Sequence, residues 1–257
     1  MYYWDNKEKR MQQARKHTSE MEEKYSSEIK NCIKNTVKYL GNVSVDEYKP
    51  EYVVRSELWQ LDSVSALFDE SLKDKRVCVL NFASFKNPGG RFYDGSSAQE
   101  ESLCHESFLY NVLKSFEKDY YENNRKDLNR GLYRNRALYS HDVIFMHNGK
   151  IRKADVLTCA APNKSLMVKY NNFTNKDNSI VLENRIMFIK QAILQKEKPD
   201  VFITGAWGCG VFKQSTEEVA TLFCKNNWPI KEVVYAIPDS ITYKAFKRVI
   251  DKDHGKL

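Results

Sequence analysis

Two adjacent glutamates, Glu100 and Glu101, follow a segment rich in glycine, proline and serine, NPGGRFYDGSSAQ (87–99). Carboxyl groups beside a flexible loop suit general acid–base catalysis, because one group can give and take a proton at a substrate held by the loop. The apolar positions that follow repeat with helical spacing, so the pair lies at the amino end of a helix, where a carboxylate is also a routine stabiliser. Adjacent helical residues project in different directions, and we expect at most one of them to point at a given substrate atom.

A second glycine-rich segment, GAWGCGVF (205–212), carries three of the ten glycines of the chain. Glycines at this spacing allow backbone N–H groups to point into one concavity, which suits a diphosphate. A tight turn between a strand and a helix would need the same glycines, and neither the GxGxxG nor the GxxxxGK[ST] fingerprint is present. Spacing alone leaves both interpretations open. Trp207 and Phe212 lie in this segment, where we expect them to contact a ligand.

Other reactive residues lack the spacing of a known type of site. His105, His141 and His147 are not arranged as metal ligands on one helix. No GxSxG nucleophile motif is present, and Cys209 stands between two glycines without a base close in sequence. We therefore expect neither a metal ion nor a cofactor.

From about residue 51, short apolar runs rich in β-branched residues alternate with segments of helical periodicity. The strand-like runs lie at 52–58, 77–83, 154–161, 200–207 and 232–238, and the helical segments at 62–73, 100–118, 179–196, 215–227 and 240–250. This alternation predicts an α/β fold with a central, mostly parallel or mixed sheet and helices on both faces. Ligands of such sheets bind beyond the carboxyl ends of the strands, so we expect the loops after 82, 160 and 204 to meet at one edge.

Residues 1 to about 40 have the polar composition and the apolar spacing of a surface helix, with Met21, Tyr25 and Ile29 among the apolar positions. We predict an N-terminal helical extension over residues 1–45, packed on a main domain that spans residues 46–257.

The chain of 257 residues carries a formal net charge of +7. This excess favours an anionic partner, such as a phosphorylated ligand or a nucleic acid, without selecting one. No apolar run is long enough to span a bilayer, and the charged N-terminus lacks the apolar stretch of a signal peptide. The six scattered cysteines include no CxxC pair and favour reduced thiols. We expect a cytoplasmic monomer that binds no membrane.

Four ordered segments resemble the microbial-type poly(ADP-ribose) glycohydrolases, a branch of the macrodomain fold. They are NFASFKNPGGRFYDGSSAQEESLCHESFLY (81–110), ALYSHDVIFMHN (137–148), ADVLTCAAPN (154–163) and ITGAWGCGVF (203–212). The resemblance implies a macrodomain-like three-layer α/β/α sandwich around a mixed sheet, with an ADP-ribose cleft at the carboxyl edge of the strands. It also implies hydrolysis of the ribose–ribose bonds of an ADP-ribose polymer, or of another ADP-ribosylated macromolecule, by the main domain.

The resemblance assigns roles to matching positions. Glu101 resembles the catalytic acid, which protonates the departing ribosyl oxygen and then activates water. Glu100 resembles the neighbour that hydrogen-bonds the hydroxyls of the distal ribose. The other implied substrate-binding residues lie in the two glycine segments: Asn87, Gly89, Gly90 and Gln99 around the distal ribose, and Gly205, Ala206, Trp207, Gly208, Cys209, Gly210, Val211 and Phe212 around the diphosphate and the reacting ribose.

One position departs from the family pattern, because Arg91 stands where the family has a third glycine. The arginine side chain either points outward, reaches a phosphate or narrows the cleft. The flanking pattern is retained, so we expect activity to be retained as well. Two other functions stay open: hydrolysis of single ADP-ribose groups on protein, DNA or RNA, and binding of ADP-ribose without catalysis.

Overall fold

The computed structural model describes residues 6–41, 54–170, 174–194, 199–225 and 228–254. Its strands are β1 (Val37–Leu40), β2 (Arg55–Trp59), β3 (Val77–Phe82), β4 (Arg136–His147), β5 (Lys150–Cys159), β6 (Val201–Thr204) and β7 (Glu232–Ala236). Within the described residues these strands form one sheet in the order β1-β4-β5-β3-β6-β7-β2. β5, β3, β6, β7 and β2 run parallel, whereas β4 is antiparallel to both of its neighbours. The sheet is therefore mixed.

Helices cover both faces of the sheet. They are α1 (Lys7–Asn35), α2 (Ser63–Leu67), α3 (Gln99–His105), α4 (Leu109–Ser115), α5 (Glu122–Lys126), α6 (Lys164–Met167), α7 (Asn175–Leu194), α8 (Thr216–Lys225) and α9 (Ser240–His254). Side chains alternate along β3, so that Val77 and Val79 join the core under α1–α4, while Cys78 and Leu80 join the core under α7–α9. The predicted three-layer α/β/α sandwich is confirmed.

Two strands were not predicted from the sequence. Val37–Leu40 was expected to continue the N-terminal helix, but the helix ends at Asn35 and these residues pair with β4 as an edge strand, with Tyr39 buried in the core. The second is β4, which forms a hairpin with β5. Its turn is Asn148-Gly149, with φ of 49° and 76°, and an Asn-Gly pair is the usual sequence signal for such a turn.

The N-terminal helix itself is confirmed, and Met21, Tyr25 and Ile29 form its buried stripe. The predicted domain boundary at residue 45 lies outside the described residues. No helix in the described segments is long and apolar enough to cross a lipid bilayer.

The strand order brings the predicted loops together. β5, β3 and β6 are adjacent and parallel, so the segments after Phe82, Cys159 and Thr204 leave the sheet at the same edge. Phe82, Ala161 and Ala206 line one cavity there. The expectation of one shared edge is therefore confirmed.

Candidate active site

Gln99, Glu100 and Glu101 form the first turn of α3, directly after the glycine-rich loop. The N-cap residue of the helix is Ala98, which makes no side-chain capping bond. Both glutamates are buried, with 3% and 5% of their surface exposed, and both accept hydrogen bonds from segments outside the helix. Capping therefore does not account for the glutamate pair.

Glu100 lies against the carboxyl end of β3. Its Oε2 accepts a hydrogen bond of 2.7 Å from the backbone N–H of Ser84, and its Oε1 accepts one of 3.2 Å from the side-chain amide of Asn81. Burial raises the pKa of Glu100 well above its usual value, and the charge of Glu101 adds to this, against the opposing effect of the Ser84 hydrogen bond. Glu100 therefore keeps its proton to a higher pH than an exposed glutamate does.

Glu101 is held at one of its two carboxylate oxygens. Oε1 accepts a hydrogen bond of 2.8 Å from the backbone N–H of Arg91. Oε2 is buried and has no hydrogen-bond partner among the described residues. A buried polar atom without a partner is uncommon and often marks a functional position, so Glu101 presents one fixed and one available oxygen.

Gly89 and Gly90 fold over the two carboxylates with φ of +63° and +62°, a conformation that only glycine adopts freely. A Cβ atom on Gly90 would lie 2.6 Å from Oε1 of Glu101 and 2.8 Å from Oε2 of Glu100. Glycine at position 90 is therefore needed for the loop to approach the glutamates.

Arg91 points outward, the first of the three placements that the sequence left open. Its side chain is exposed, and its Nε donates a hydrogen bond of 3.0 Å to the Asp94 carboxylate. Its backbone has φ −114° and ψ 37°, which an L-residue adopts without the left-handed strain of its glycine neighbours. The arginine side chain therefore leaves the glutamates uncovered, and its backbone N–H reaches Glu101.

Gln99 fastens α3 to the sheet. Its Oε1 accepts from the backbone N–H of Phe82 at 2.8 Å, and its Nε2 donates to the carbonyl of Leu80 at 2.9 Å and to Ser63 Oγ at 3.1 Å. The amide is thus used within the protein, although Gln99 also lines the cavity.

Asn87 is exposed. Its backbone N–H donates to Ser84 Oγ at 3.1 Å, and its carbonyl accepts from the N–H of Gly90 at 3.1 Å. Asn87 therefore shapes the loop through its backbone.

The second glycine segment forms one wall of a cavity of about 260 Å³. The lining residues are Phe82, Ala98, Gln99, Ala161, Ala206, Trp207, Gly208, Gly210, Val211 and Phe212. In the described part of the chain, the N–H groups of Gly208, Gly210, Val211 and Phe212 donate no hydrogen bond. Gly208 has φ +78°, and a Cβ there would lie 2.7 Å from that of Ala161. The loop therefore offers unused backbone N–H donors beside the cavity, which suit an anion.

Two residues of this segment, Trp207 and Cys209, make hydrogen bonds to backbone carbonyls. The Trp207 side chain is fully buried, and its indole N–H donates to the Cys159 carbonyl at 3.0 Å, so it anchors the loop, and Trp207 is also among the residues that line the cavity. Burial raises the pKa of Cys209 to about 12, and a protonated thiol is a poor nucleophile. Phe212 is only partly buried and makes an edge contact with Tyr133, with ring centroids 6.0 Å apart, so its ring lies at the cavity.

A second cavity of about 240 Å³ shares Phe82, Ala98, Gln99 and Ala206 with the first. Its further lining combines apolar residues, such as Val64, Leu103 and Ile237, with polar residues that include the carboxylates Asp62 and Asp239. Because four residues are common to both, the two cavities are adjacent, and we refer to them together as the cleft. Neither glutamate is among the lining residues, whereas Ala98 and Gln99, which precede the pair in the chain, line both cavities.

Several supporting residues were missed by the sequence analysis. Asn81 contacts Glu100, and its position as a polar residue inside the apolar run VCVLNF was a usable signal. Ser165 donates its backbone N–H to the Phe212 carbonyl and its hydroxyl to the Val211 carbonyl, both at 3.1 Å. Gln214 and Asn178 form a buried reciprocal amide pair. The contacts of Ser165, Gln214 and Asn178 join segments far apart in sequence, and no local sequence pattern predicts them.

No group of three or more His, Cys, Asp or Glu residues in the described segments could hold a metal ion. The site combines a buried pair of carboxyl groups with a neighbouring cleft that has backbone N–H donors. Such a pair can transfer protons and stabilise a developing positive charge.

Comparison with known proteins identifies the family. The family model for the catalytic domain of microbial-type PARG matches residues 6–148. Poly(ADP-ribose) glycohydrolase from Thermomonospora curvata has the same fold, with a TM-score of 0.79 at 24% identity over 93% of this chain and 98% of that chain. Its structure bound to the inhibitor ADP-HPD gives a TM-score of 0.78 at 24% identity, over 94% and 99% of the two chains.

The enzyme from Deinococcus radiodurans in complex with ADP-ribose also shares the fold, with a TM-score of 0.77 at 24% identity over 87% of this chain and 97% of that chain. No curated protein sequence matches significantly. Beyond residue 148 the likeness is one of fold. The chain belongs to the microbial-type poly(ADP-ribose) glycohydrolase family and contains its catalytic domain, as the four sequence motifs predicted.

Proposed function

We propose that the protein hydrolyses ribose–ribose glycosidic bonds of poly(ADP-ribose), with Glu101 as the general acid and then the general base. The arrangement of Glu101 carries the proposal. Its Oε1 is fixed by the Arg91 amide, and its Oε2 is buried without a partner. A substrate oxygen would supply that missing partner. Membership of a glycohydrolase family supports the same reaction.

The reaction proceeds in two proton transfers at Glu101. First, the protonated carboxyl group donates its proton to the leaving ribosyl oxygen, and the electron pair of the breaking C1–O bond goes to that oxygen. The distal ribose then carries an oxocarbenium-like positive charge. In the second transfer the Glu101 carboxylate takes a proton from water, and the water oxygen forms the new bond to C1. ADP-ribose and a shortened polymer are released, and Glu101 is protonated again.

Glu100 assists the reaction in its protonated form, as a hydrogen-bond donor to the substrate. Since burial raises the pKa of its carboxyl group, Glu100 keeps its proton to a higher pH than an exposed glutamate does. A protonated Glu100 donates a hydrogen bond to a hydroxyl of the distal ribose. This donation orients the sugar toward Glu101.

The cleft supports the placement of the remaining parts of ADP-ribose. The open N–H groups of Gly208, Gly210, Val211 and Phe212 suit the two phosphates, and Phe212 borders the reacting ribose. The adjoining cavity lined by Val64, Leu103, Ile237 and Pro238 suits the adenosine. Trp207 and Cys209 support the loop from behind.

The proposal also includes the cellular location and the oligomeric state of the protein. All six cysteines are thiols and form no disulfide, which supports a cytoplasmic location. A monomeric state belongs to the same proposal. Multi-angle light scattering tests the oligomeric state.

The net charge of +7 favours one second candidate, release of single ADP-ribose groups from nucleic acid. The test compares three substrates at equal ADP-ribose concentration: polymer, mono-modified protein and mono-modified DNA. We expect ADP-ribose to be released from the polymer with the highest kcat/KM. A preference for mono-modified DNA would favour the second candidate, and tight ADP-ribose binding without release from any substrate would contradict both.

A further inference from the structure

Helix α1 lies along the loop that precedes α3. Arg10 Nε donates a hydrogen bond of 2.7 Å to the carbonyl of Gly95. The guanidinium group of Arg15 lies over the ring of Tyr93, 5.1 Å from its centroid. A Cβ atom on Gly95 would collide with the backbone carbonyl of Lys7, so the two backbones are in direct contact. The first turns of α1 therefore hold residues 93–95 from outside.

The same helix contacts the segment that follows α3. His17 Nε2 lies 2.8 Å from the carbonyl of Ser107, and the side-chain amide of Asn111 donates to the carbonyl of Thr18 at 3.0 Å. Helix α3, which carries both glutamates, is thus braced at both ends by α1. The family model begins at residue 6, so the matched catalytic domain includes α1.

Arg91 connects the braced turn to Glu101. The carbonyl of Arg91 accepts from the N–H groups of Asp94 at 3.0 Å and Ser96 at 3.2 Å. Its own N–H donates to Glu101 Oε1 at 2.8 Å. Phe92, between the two contacts, is buried. A shift of the turn at residues 93–95 would therefore move the donor that fixes Glu101.

We propose that α1 is a working part of the active site, in which Arg10 and Arg15 are positioning residues that hold the Arg91 N–H against Glu101. The inference rests on the proposed catalytic role of Glu101 and gives the N-terminal helix a task in the same reaction. The two arginines act on the orientation of Glu101 and lie outside the residues that line the ADP-ribose cleft.

The test uses the full chain with the double substitution Arg10→Ala and Arg15→Ala. The matched control is Lys16→Ala, because Lys16 is exposed on the same helix and its ion pair, with Glu20 at 3.5 Å, lies within α1. We expect the double variant to lose about tenfold in kcat on polymer, since small displacements of a catalytic group lower turnover steeply. The affinity for ADP-ribose by calorimetry should change less than about twofold, since the cleft is untouched.

Two further measurements separate positioning from general stability. Arg10→Lys retains an N–H donor for the Gly95 carbonyl, so it should keep most of the wild-type kcat. Hydrogen–deuterium exchange should speed up over residues 89–101 in the double variant and stay unchanged over 203–213, and Lys16→Ala should match wild type in both regions.

Unchanged kcat and unchanged exchange over 89–101 would overturn the inference. So would a parallel loss of kcat, ADP-ribose affinity and Tm, because that pattern indicates a structural role alone. A wild-type protein without turnover would contradict the proposed function instead, and the exchange experiment would still decide whether α1 braces the loop.

Discussion

Gly90→Ala is expected to damage the active site far more than the fold. The added Cβ atom would lie 2.6 Å from Oε1 of Glu101 and 2.8 Å from Oε2 of Glu100, closer than such atoms approach one another. Either the loop moves away or both carboxylates shift, and each response weakens the hydrogen bond from Arg91 to Glu101. Misplacement of a catalytic group by a fraction of an ångström to 1 Å lowers turnover by about 100-fold.

The matched control is Gly149→Ala in the β4–β5 turn. Gly149 has φ +76° and nothing within 4 Å of a built Cβ, so it carries the backbone strain without a collision. Both substitutions should reduce the free energy of unfolding by about 1–2 kcal/mol, the penalty of left-handed backbone for an L-residue. The assay is ADP-ribose release from polymer together with urea unfolding. Equal activity of the two variants would refute the reasoning that Gly90 positions the glutamates.

Three further substitutions test other parts of the site. Arg91→Gly should leave kcat/KM within about threefold, because an exposed ion pair with Asp94 contributes little; a larger change in steady-state kinetics would mean that the arginine reaches the substrate. Glu100→Gln should raise the Tm at about pH 7 but not at about pH 4. The raised pKa of Glu100 means that the folded state binds the proton more tightly than the unfolded chain, so ionisation destabilises the fold as pH rises, and equal Tm differences at both pH values would contradict it. Trp207→Phe removes the donor to the Cys159 carbonyl and should lower the free energy of unfolding by about 1–3 kcal/mol. It should also weaken ADP-ribose binding. An unchanged affinity for ADP-ribose by calorimetry would show that this hydrogen bond does not shape the loop.

The fold was predictable where the sequence pattern is local. The runs at 77–83 and 232–238 became the buried strands β3 and β7 because both faces of each strand are covered. β1 could not be predicted in this way, since Val37 and Leu40 continue the helical spacing and only pairing with β4 makes residues 37–40 a strand. Long-range pairing overrides local periodicity there.

The site was predictable in its residue types more than in its contacts. The glycine spacing identified both loops, and the glutamates lie beside the first. The inward orientation of Trp207 depends on the carbonyl of Cys159, 48 residues earlier in the chain. The outward placement of Arg91 depends on the backbone dihedral angles of the loop and on the hydrogen bond to Asp94. Neither the Trp207–Cys159 hydrogen bond nor the backbone angles of Arg91 can be predicted from the neighbouring residues in the sequence.

The central claim is that Glu101 performs both proton transfers, and Glu101→Gln tests it most directly. Glutamine retains an oxygen for the Arg91 N–H but cannot give and take the proton, so the loop and the cleft stay in place. Polymer turnover and ADP-ribose calorimetry are measured on the same preparation. We predict a loss of about 100- to 10,000-fold in kcat, with an affinity for ADP-ribose close to that of wild type. Wild-type turnover by Glu101→Gln would contradict the account.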